Sequence, residues 1–132
     1  MNIKLIQLQK HGDERGQLVA LEETKNIPFS IKRVYYMFDT CEGVRRGFHA
    51  HYKLQQLVIP VRGSCRIMLD DGAEKIDVYL DNPAQALAIG SMIWREMYDF
   101  SNDCVLMVLA DDFYDEADYI RSYQDFILEV TK

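Results

Sequence analysis

The spacing of two histidines within one predicted strand constrains this chain more than any other feature of its sequence. They stand in the run Gly43-x5-His49-Ala50-His51-x4-Gln56-x6-Gly63. Successive side chains of a strand point to opposite faces, so His49 and His51 share one face. Two imidazoles on one face of a strand can hold a metal ion or move protons. The residues around the pair decide between these two uses.

Bulk composition narrows the class of protein before any motif is considered. The chain has 132 residues, 48% of them hydrophobic, which suits one domain over residues 1–132. Its net charge of −6 argues against nucleic acid as a partner, because binding a phosphate backbone needs a broad basic face. Cys41, Cys65 and Cys104 form neither an even set nor a CxxC pair, which favours reduced thiols and the cytoplasm. No export signal opens the chain and no apolar run reaches ~18 residues, so we expect neither secretion nor a membrane partner.

Turn signals separate many short apolar and β-branched segments, and this pattern predicts an all-β sandwich or barrel. Asp70-Asp71-Gly72 predicts a hairpin, because glycine tolerates positive φ. Apolar residues then recur at steps of three and four from Ala117 to Val130, which predicts a short C-terminal helix starting near Asp115 and Glu116. The predicted strands cover residues 3–9, 17–22, 31–38, 48–61, 64–69, 75–80, 86–89, 92–98 and 104–110.

The histidine run resembles the first motif of the cupins, and this resemblance implies a jelly-roll barrel. Metal-binding cupins supply a carboxylate ligand where this chain has Gln56, and a further histidine where it has Arg95. An amide is a weak ligand, and a guanidinium stays cationic and has no lone pair to give. Typical zinc and non-haem iron sites offer three or four good ligands. The sequence therefore predicts no catalytic metal.

The same residues suit acid–base chemistry. Histidine is the usual general base near neutral pH. Tyr35 and Tyr36 lie on opposite faces of a predicted strand, and Tyr35 shares its face with Arg33, which favours Tyr35 as the proton-passing hydroxyl in a polar cavity. Such a set is typical of an isomerase or epimerase that acts next to the carbonyl of a keto sugar, and the flanking cations suit a nucleoside diphosphate. These candidate anion-binding cations are Arg15, Arg46, Lys53 and Arg95.

Several longer stretches resemble the dTDP-sugar 3,4-ketoisomerases, namely residues 26–36, 46–51, 63–66, 69–72 and 115–121. The resemblance extends over nearly the whole chain. It implies a small cupin homodimer that needs no metal or cofactor. It also implies the conversion of dTDP-4-keto-6-deoxyglucose to its 3-keto isomer, on the route to dideoxyamino sugars of bacterial surface polysaccharides.

The resemblance also implies roles for individual residues. His51 would take the C3 proton and return it at C4, and His49 would be a second catalytic or orienting imidazole. Tyr35 would relay a proton between the two oxygens. The residues expected to hold the substrate, chiefly at its diphosphate and nucleotide, are Arg33, Arg46, Lys53 and Arg121.

Arg15 and Arg95 depart from the family pattern. One subgroup pairs Arg with His at these two positions and another pairs Tyr with Arg, whereas this chain has Arg at both. These side chains are expected to line the sugar pocket and to govern which face of the enediol is reprotonated, so the axial and equatorial C4 products both stay open. Two other functions also stay open: a nucleotide-sugar-binding cupin without catalysis, and an epimerase on the same substrate.

Overall fold

Short strands are the main regular structure of this chain, as the spacing of the turn signals predicts. The computed structural model describes residues 1–132. One short helix, α1 (Tyr123–Val130), follows the last strand, and the predicted all-β cupin-type barrel with a C-terminal helix is confirmed. The strands are β1 (Lys4–Gln7), β2 (His11–Asp13), β3 (Gly16–Leu18), β4 (Arg33–Met37), β5 (Arg46–His51), β6 (Gln56–Arg62), β7 (Cys65–Asp70), β8 (Lys75–Leu80), β9 (Gln85–Ile89), β10 (Trp94–Tyr98), β11 (Val105–Ala110) and β12 (Tyr119–Ile120).

Two five-stranded antiparallel sheets form the walls of the barrel. The first has the strand order β1-β9-β6-β11-β4, and the second has the order β12-β5-β10-β7-β8. β1 therefore pairs with β9 inside its own chain. β2 and β3 pair only with each other, and all six of their residues are exposed. The structure contains no helix with the length and apolar character that crossing a membrane requires.

Apolar side chains from both sheets fill one half of the barrel. A cluster of 13 buried residues contains Val58 and Leu106 of the first sheet and Ile67 and Val78 of the second. Helix α1 covers the outside of the second sheet, where its Phe126 is fully buried among residues of β5, β10 and β12. Helix α1 therefore packs against the outer face of β5.

The predicted strand over residues 48–61 is wrong, because the chain turns at residues 52–55 between β5 and β6. Carboxylates from a distant loop stabilise this turn: Asp118 accepts the backbone N–H groups of Lys53 and Leu54, and Asp111 accepts that of Gln55. A strand prediction based on local pattern cannot detect hydrogen bonds from residues so far along the chain.

The predicted start of the C-terminal helix is also wrong. Asp115 caps a short 3-10 helix (Glu116–Asp118), and β12 follows it and pairs with β5. Helix α1 begins only after Ser122, whose hydroxyl accepts the N–H of Asp125. The predicted strand at residues 17–22 is likewise cut short after β3, because the Asn26 side chain binds the backbone of residues 20 and 22 and holds a loop there.

Candidate active site

β5 carries both histidines, and it contains a bulge. Arg95 of β10 pairs with His49, whereas the next residue, Glu96, pairs with Gly47, so Phe48 is the extra residue on β5. Phe48 has a φ of 54°, a conformation that bulky residues rarely adopt. This strained residue lies directly beside the histidine pair. Strained backbone conformations are often concentrated at the functional sites of proteins.

The bulge brings Arg46 into the site. Arg46 pairs with Met97, which packs in the barrel core, so both point inward. Arg46 is three residues from His49, and regular alternation would place the two on opposite faces. Because Phe48 is accommodated as an extra residue, Arg46 and His49 line the same cavity.

His49 and His51 lie together, with ring centroids 5.0 Å apart and ring planes at 87°. His51 is 1% exposed, and its ring centroid is 4.3 Å from that of Tyr119. Nδ1 of His49 is 3.0 Å from the carbonyl oxygen of Gly47. That oxygen can only accept, so Nδ1 carries the proton and Nε2 keeps a lone pair.

Burial and nearby cations keep both imidazoles neutral at physiological pH. Burial, followed by the charge of Arg95, lowers the pKa of His49 to about 4. The same two causes, in the same order, lower the pKa of His51 to about 3, and His49, Arg33 and Arg121 add to the effect. A neutral imidazole with an open nitrogen is the form of histidine that accepts a proton.

Gln56 occupies the position of a carboxylate ligand in metal-binding cupins, and both ends of its amide are in use. Oε1 accepts a hydrogen bond from Nη1 of Arg95 at 2.5 Å, and Nε2 donates to the hydroxyl oxygen of Tyr35 at 3.1 Å. The hydroxyl proton of Tyr35 stays free for a ligand. Burial raises the pKa of Tyr35, so the phenol is protonated at neutral pH. The structure contains no group of three or more His, Cys, Asp or Glu side chains that could hold a metal ion.

Arg95 does not line the cavities, which corrects the expectation that it faces the sugar. It is 3% exposed, and its guanidinium also donates to the carbonyl oxygen of Ile93 at 2.9 Å. Burial lowers its pKa to about 10, so Arg95 remains charged at neutral pH. It lies behind Gln56 and supplies a fixed positive charge next to Tyr35 and the histidines.

Two open cavities lie side by side and share Arg33 and Tyr119 as lining residues. The first, which we call the mouth cavity, has a volume of about 350 Å³, and the second, the side cavity, has about 390 Å³. The mouth cavity is lined by Arg33, Tyr35, Met37, Arg46, Gly47, His49, Met97, Tyr119 and Arg121. The side cavity is lined by Arg33, His51, Tyr52, Lys53, Leu54, Asp111, Asp112, Phe113, Asp115, Ala117, Asp118 and Tyr119.

The structure brings four of the predicted cations to these cavities. Arg33 borders both, with its guanidinium carbon 5.4 Å from the ring centroid of Tyr35. Arg46 and Arg121 line the mouth cavity, and Lys53 lines the side cavity.

Arg121 is already paired within the chain. Its guanidinium binds Glu116, with Nε at 2.6 Å and Nη2 at 2.8 Å from the carboxylate oxygens. It also lies 4.2 Å over the ring centroid of Tyr119. The ion pair and the ring hold this cation at the rim of the mouth cavity.

Arg15 lines neither cavity, contrary to the expectation that it lines the sugar pocket. It lies in the tight turn between β2 and β3, where its side chain is 86% exposed and its Nη2 is 2.7 Å from Asp13. The hairpin extends away as an exposed arm because its strands pair only with each other. Within one chain, Arg15 is therefore separate from the histidine site.

Sequence reasoning missed Tyr119 and Asp118, which contact His51. The segment 115–121 was assigned to the C-terminal helix by its periodicity, although it belongs to the stretches that resemble the ketoisomerases. The signal that could have indicated a separate function is the cluster Asp115, Glu116, Asp118 and Tyr119 ahead of Ser122, a good helix N-cap.

Comparison with known proteins shows the family of this chain. The family model FdtA: WxcM-like, C-terminal, matches residues 1–131. The chain belongs to this family. It is 56% identical to the TDP-4-oxo-6-deoxy-alpha-D-glucose-3,4-oxoisomerase of Aneurinibacillus thermoaerophilus, over 100% of this chain and 95% of that protein.

Solved structures of relatives superpose closely. The 3,4-ketoisomerase from Helicobacter canadensis is 45% identical, with a TM-score of 0.96 and coverage of 100% of this chain and 99% of that chain. A histidine-to-asparagine mutant of the 3,4-ketoisomerase QdtA from Thermoanaerobacterium thermosaccharolyticum, in complex with TDP-4-keto-6-deoxyglucose, is 42% identical, with a TM-score of 0.96 and coverage of 98% and 94%. The predicted resemblance to the sugar-nucleotide 3,4-ketoisomerases is thus confirmed.

Proposed function

We propose that this protein is an isomerase that converts dTDP-4-keto-6-deoxy-D-glucose into the dTDP-3-keto-6-deoxyhexose. The observation that carries the proposal is the pair of neutral imidazoles beside Tyr35 and a group of arginines, in a chain 56% identical to a 3,4-oxoisomerase. The reaction moves one proton from C3 to C4 and a second from the C3 oxygen to the C4 oxygen. A site with several proton carriers suits both transfers.

We assign the carbon-bound proton to His49. His49 lines the mouth cavity, and its Nε2 is open because Nδ1 is occupied by Gly47. His51 is 1% exposed and borders the side cavity instead. This assignment exchanges the two roles that the family resemblance suggested. His49 would remove the proton from C3, hold it as imidazolium, and return it to C4 of the enediolate.

Tyr35 and His51 would move the proton between the sugar oxygens. The hydroxyl of Tyr35 accepts from Gln56, so its own proton can be donated to the C4 oxygen. His51 would take the proton from the C3 oxygen. This proton would pass from the His51 imidazolium back to the Tyr35 phenolate before the next turnover, so both groups regain their starting protonation state. Negative charge on the enediolate would be stabilised by Arg33 and Arg46 at the cavity wall and by the buried charge of Arg95.

The exposed cations at the rim would hold the nucleoside diphosphate. Arginine binds phosphate oxygens through its planar fork, and lysine binds them as a point charge. Arg33 joins the two cavities, which places it between the reacting sugar and any group outside. The rim residues that we assign to the diphosphate and nucleotide are Arg33, Arg46, Lys53 and Arg121.

We further propose that the reaction needs no metal and no other cofactor. Gln56 uses both ends of its side chain within the protein, so it offers no free ligand atom. The charge of Arg95 beside it would also repel a dication. The three cysteines are unpaired, which fits a reducing compartment such as the cytoplasm.

A homodimer would explain the exposed arm and the position of Arg15. Leu18 on the arm is 60% exposed. β4 is an edge strand whose outer residues Val34 and Tyr36 are 52% and 63% exposed, and Phe38, which follows the strand, is 61% exposed. An arm packed on β4 of a second copy would cover both apolar surfaces. It would also bring Arg15 to the strand that carries Arg33 and Tyr35. Light scattering tests this proposal, and a monomer at micromolar concentration would refute it.

An NMR time course with dTDP-4-keto-6-deoxyglucose in the presence of EDTA tests the main proposal. Appearance of a 3-keto sugar is the expected result, and the coupling at its C4 proton identifies the axial or equatorial product. Loss of activity with EDTA would refute metal independence. Bound but unchanged substrate would indicate a binding protein, and inversion at C3 or C5 without movement of the ketone would indicate an epimerase.

The roles of the histidines can be separated by solvent exchange in D2O. Under our assignment, His49→Asn stops exchange of the C3 proton. His51→Asn slows isomerisation but retains some C3 exchange. The reverse pattern would restore the assignment of the carbon-bound proton to His51.

A further inference from the structure

A carboxylate lies next to the buried ring of His51. Oδ2 of Asp118 is 3.3 Å from Nδ1 of His51 and is the only carboxylate oxygen that makes an ion-pair contact with this ring. The two atoms are within hydrogen-bonding distance, although neither ring nitrogen has a partner in good geometry within the chain. Because His51 is 1% exposed, bulk water cannot accept its N–H, and a buried donor requires an acceptor.

The carboxylate of Asp118 is held firmly in this position. Oδ1 accepts the backbone N–H of Lys53 at 3.0 Å, and Oδ2 accepts that of Leu54 at 3.2 Å. The main-chain oxygen of Asp118 also accepts the N–H of Tyr52 at 3.0 Å. Three hydrogen bonds therefore fix Asp118 to the turn that follows His51 directly. The second lone pair of Oδ2 remains for the imidazole.

We propose that Asp118 is a positioning residue, which keeps the proton of His51 on Nδ1 and leaves Nε2 as the nitrogen that exchanges protons with the substrate. The proposal rests on the proposed ketoisomerase function. His49 has the same arrangement, with the carbonyl oxygen of Gly47 as the acceptor. Both imidazoles of the pair would then be held in one tautomer, each by an oxygen at Nδ1. Acceptors of this kind commonly fix the tautomer of functional histidines.

A negative partner also matters once a proton reaches the ring. His51 is surrounded by groups that oppose a positive charge: Arg33 on β4, His49 on β5, Arg95 on β10 and Arg121 after β12. When Nε2 accepts a proton, the carboxylate of Asp118 would stabilise the imidazolium through Nδ1–H. The proton then leaves from Nε2.

Asp118→Asn separates the positioning role from a merely structural one. The amide oxygen can still accept the N–H of Lys53, whereas an amide NH2 in place of Oδ2 can no longer accept that of Leu54. Directed at Nδ1, this NH2 favours the opposite tautomer, with the proton on Nε2. We expect kcat to fall by roughly 10²–10⁴-fold, the usual range for general acid–base groups, while KM stays within about threefold. A kcat within about threefold of the wild type in the folded variant would overturn the proposal.

Asp111→Asn is the matched control. Oδ1 of Asp111 accepts the N–H of Gln55 at 3.0 Å in the same turn, and Asp111 borders the same side cavity. It makes no ion-pair contact with an imidazole. We expect this variant to lose much less activity than Asp118→Asn, since its amide oxygen still accepts the Gln55 N–H and its side chain makes no contact with His51. An equal loss of activity in both variants would assign the effect to the turn and refute the positioning role.

Nitrogen NMR of 15N-histidine-labelled protein provides a readout that does not depend on turnover. The shifts of Nδ1 and Nε2 report which nitrogen carries the proton. We expect His51 to be protonated on Nδ1 in the wild type and in Asp111→Asn, and on Nε2 in Asp118→Asn. Protonation on Nε2 in the wild type would refute the proposal without any variant. If the enzyme assay shows no isomerisation, the proposed function fails, but the tautomer measurement still decides the role of Asp118.

Discussion

The two halves of the barrel interior differ in chemistry although the same strands build both. Positions two residues apart on one strand both face inward, yet one is polar and next to the histidines while the other is apolar and in the core. The pairs are Tyr35 and Met37 on β4, Gln56 and Val58 on β6, and Arg95 and Met97 on β10. Strand alternation alone orients all six side chains.

The two halves have separate roles: the apolar half stabilises the fold, and the polar half carries the chemistry. The apolar half forms the 13-residue buried cluster, in which Ile67 and Leu106 are 0% exposed. The polar half contains all the buried side-chain atoms without a hydrogen-bonding partner: Arg33 Nε, Arg95 Nε and both ring nitrogens of His51. Each unpaired buried group typically destabilises a fold by ~1–3 kcal/mol. Packing in the apolar half therefore offsets this destabilisation. The unpaired groups of the polar half remain free to bind a ligand.

The largest expected effect is on turnover in the polar half. His49→Asn removes the assigned base, and we expect kcat to fall by ~10³–10⁴-fold with little change in the unfolding midpoint. Steady-state NMR assays and thermal melting measure the two quantities. A fully active variant, or an inactive variant that no longer folds, would contradict the assignment of turnover to the polar half and of stability to the apolar half.

The converse effect is expected in the apolar half. Leu106→Ala leaves a cavity in the core, and we expect the free energy of unfolding to fall by ~2–5 kcal/mol. The kcat per folded molecule should stay within about threefold of the wild type, because Leu106 lines neither cavity. Urea denaturation with activity measured at low denaturant checks both statements. A large loss of kcat in the folded protein would mean that the core also controls the chemistry.

Arg95 of the polar half lies on the same strand as Met97 of the apolar half. The variant Arg95→Met tests how the charge of Arg95 affects the two histidines. Its charge is the second-largest cause of the low pKa of both histidines. Without it, the pKa values of His49 and His51 rise, so the acid limb of kcat/KM moves to higher pH. Methionine also leaves the oxygens of Gln56 and Ile93 without this donor, so we expect the free energy of unfolding to fall by ~1–3 kcal/mol for each unpaired oxygen. Arg62→Met is the control, since that side chain is 72% exposed. An unmoved acid limb in Arg95→Met would contradict this role.

The smallest expected effect is the pH dependence of stability. The pKa of each histidine is lower in the fold, at about 4 for His49 and about 3 for His51, than its ordinary value of 6.5 in an unfolded chain. Protons therefore bind the unfolded chain preferentially below pH 6.5. The stabilisation is complete above that pH and declines as the pH falls toward 4, by at most ~1.4 kcal/mol per pH unit for each histidine.

Unfolding free energies at pH 7.5 and 5 measure this decline. The double variant His49→Asn/His51→Asn should lose part of the slope, because asparagine does not titrate. An identical slope in the wild type and the double variant would show that carboxylates alone produce the acid sensitivity.

The sequence by itself determined the features that depend on neighbouring residues. Strand alternation predicted the shared face of His49 and His51 and the inward direction of Tyr35, and the structure has Tyr36 63% exposed on the other side. The strand predictions need only the period of a strand. The resemblance to the cupin motif identified Gln56 and Arg95 as replacements of metal ligands, and the chemistry of single side chains then argued against a metal.

Only the tertiary structure decided which distant groups meet the histidines. The bulge at Phe48 depends on the register between β5 and β10, and it turns Arg46 inward. Asp118 reaches the turn after His51 from 65 residues along the chain, through hydrogen bonds that no local pattern encodes. The exposed arm likewise separates Arg15 from the site within one chain. Register and long-range hydrogen bonds are properties of the assembled barrel, so local sequence patterns cannot specify them.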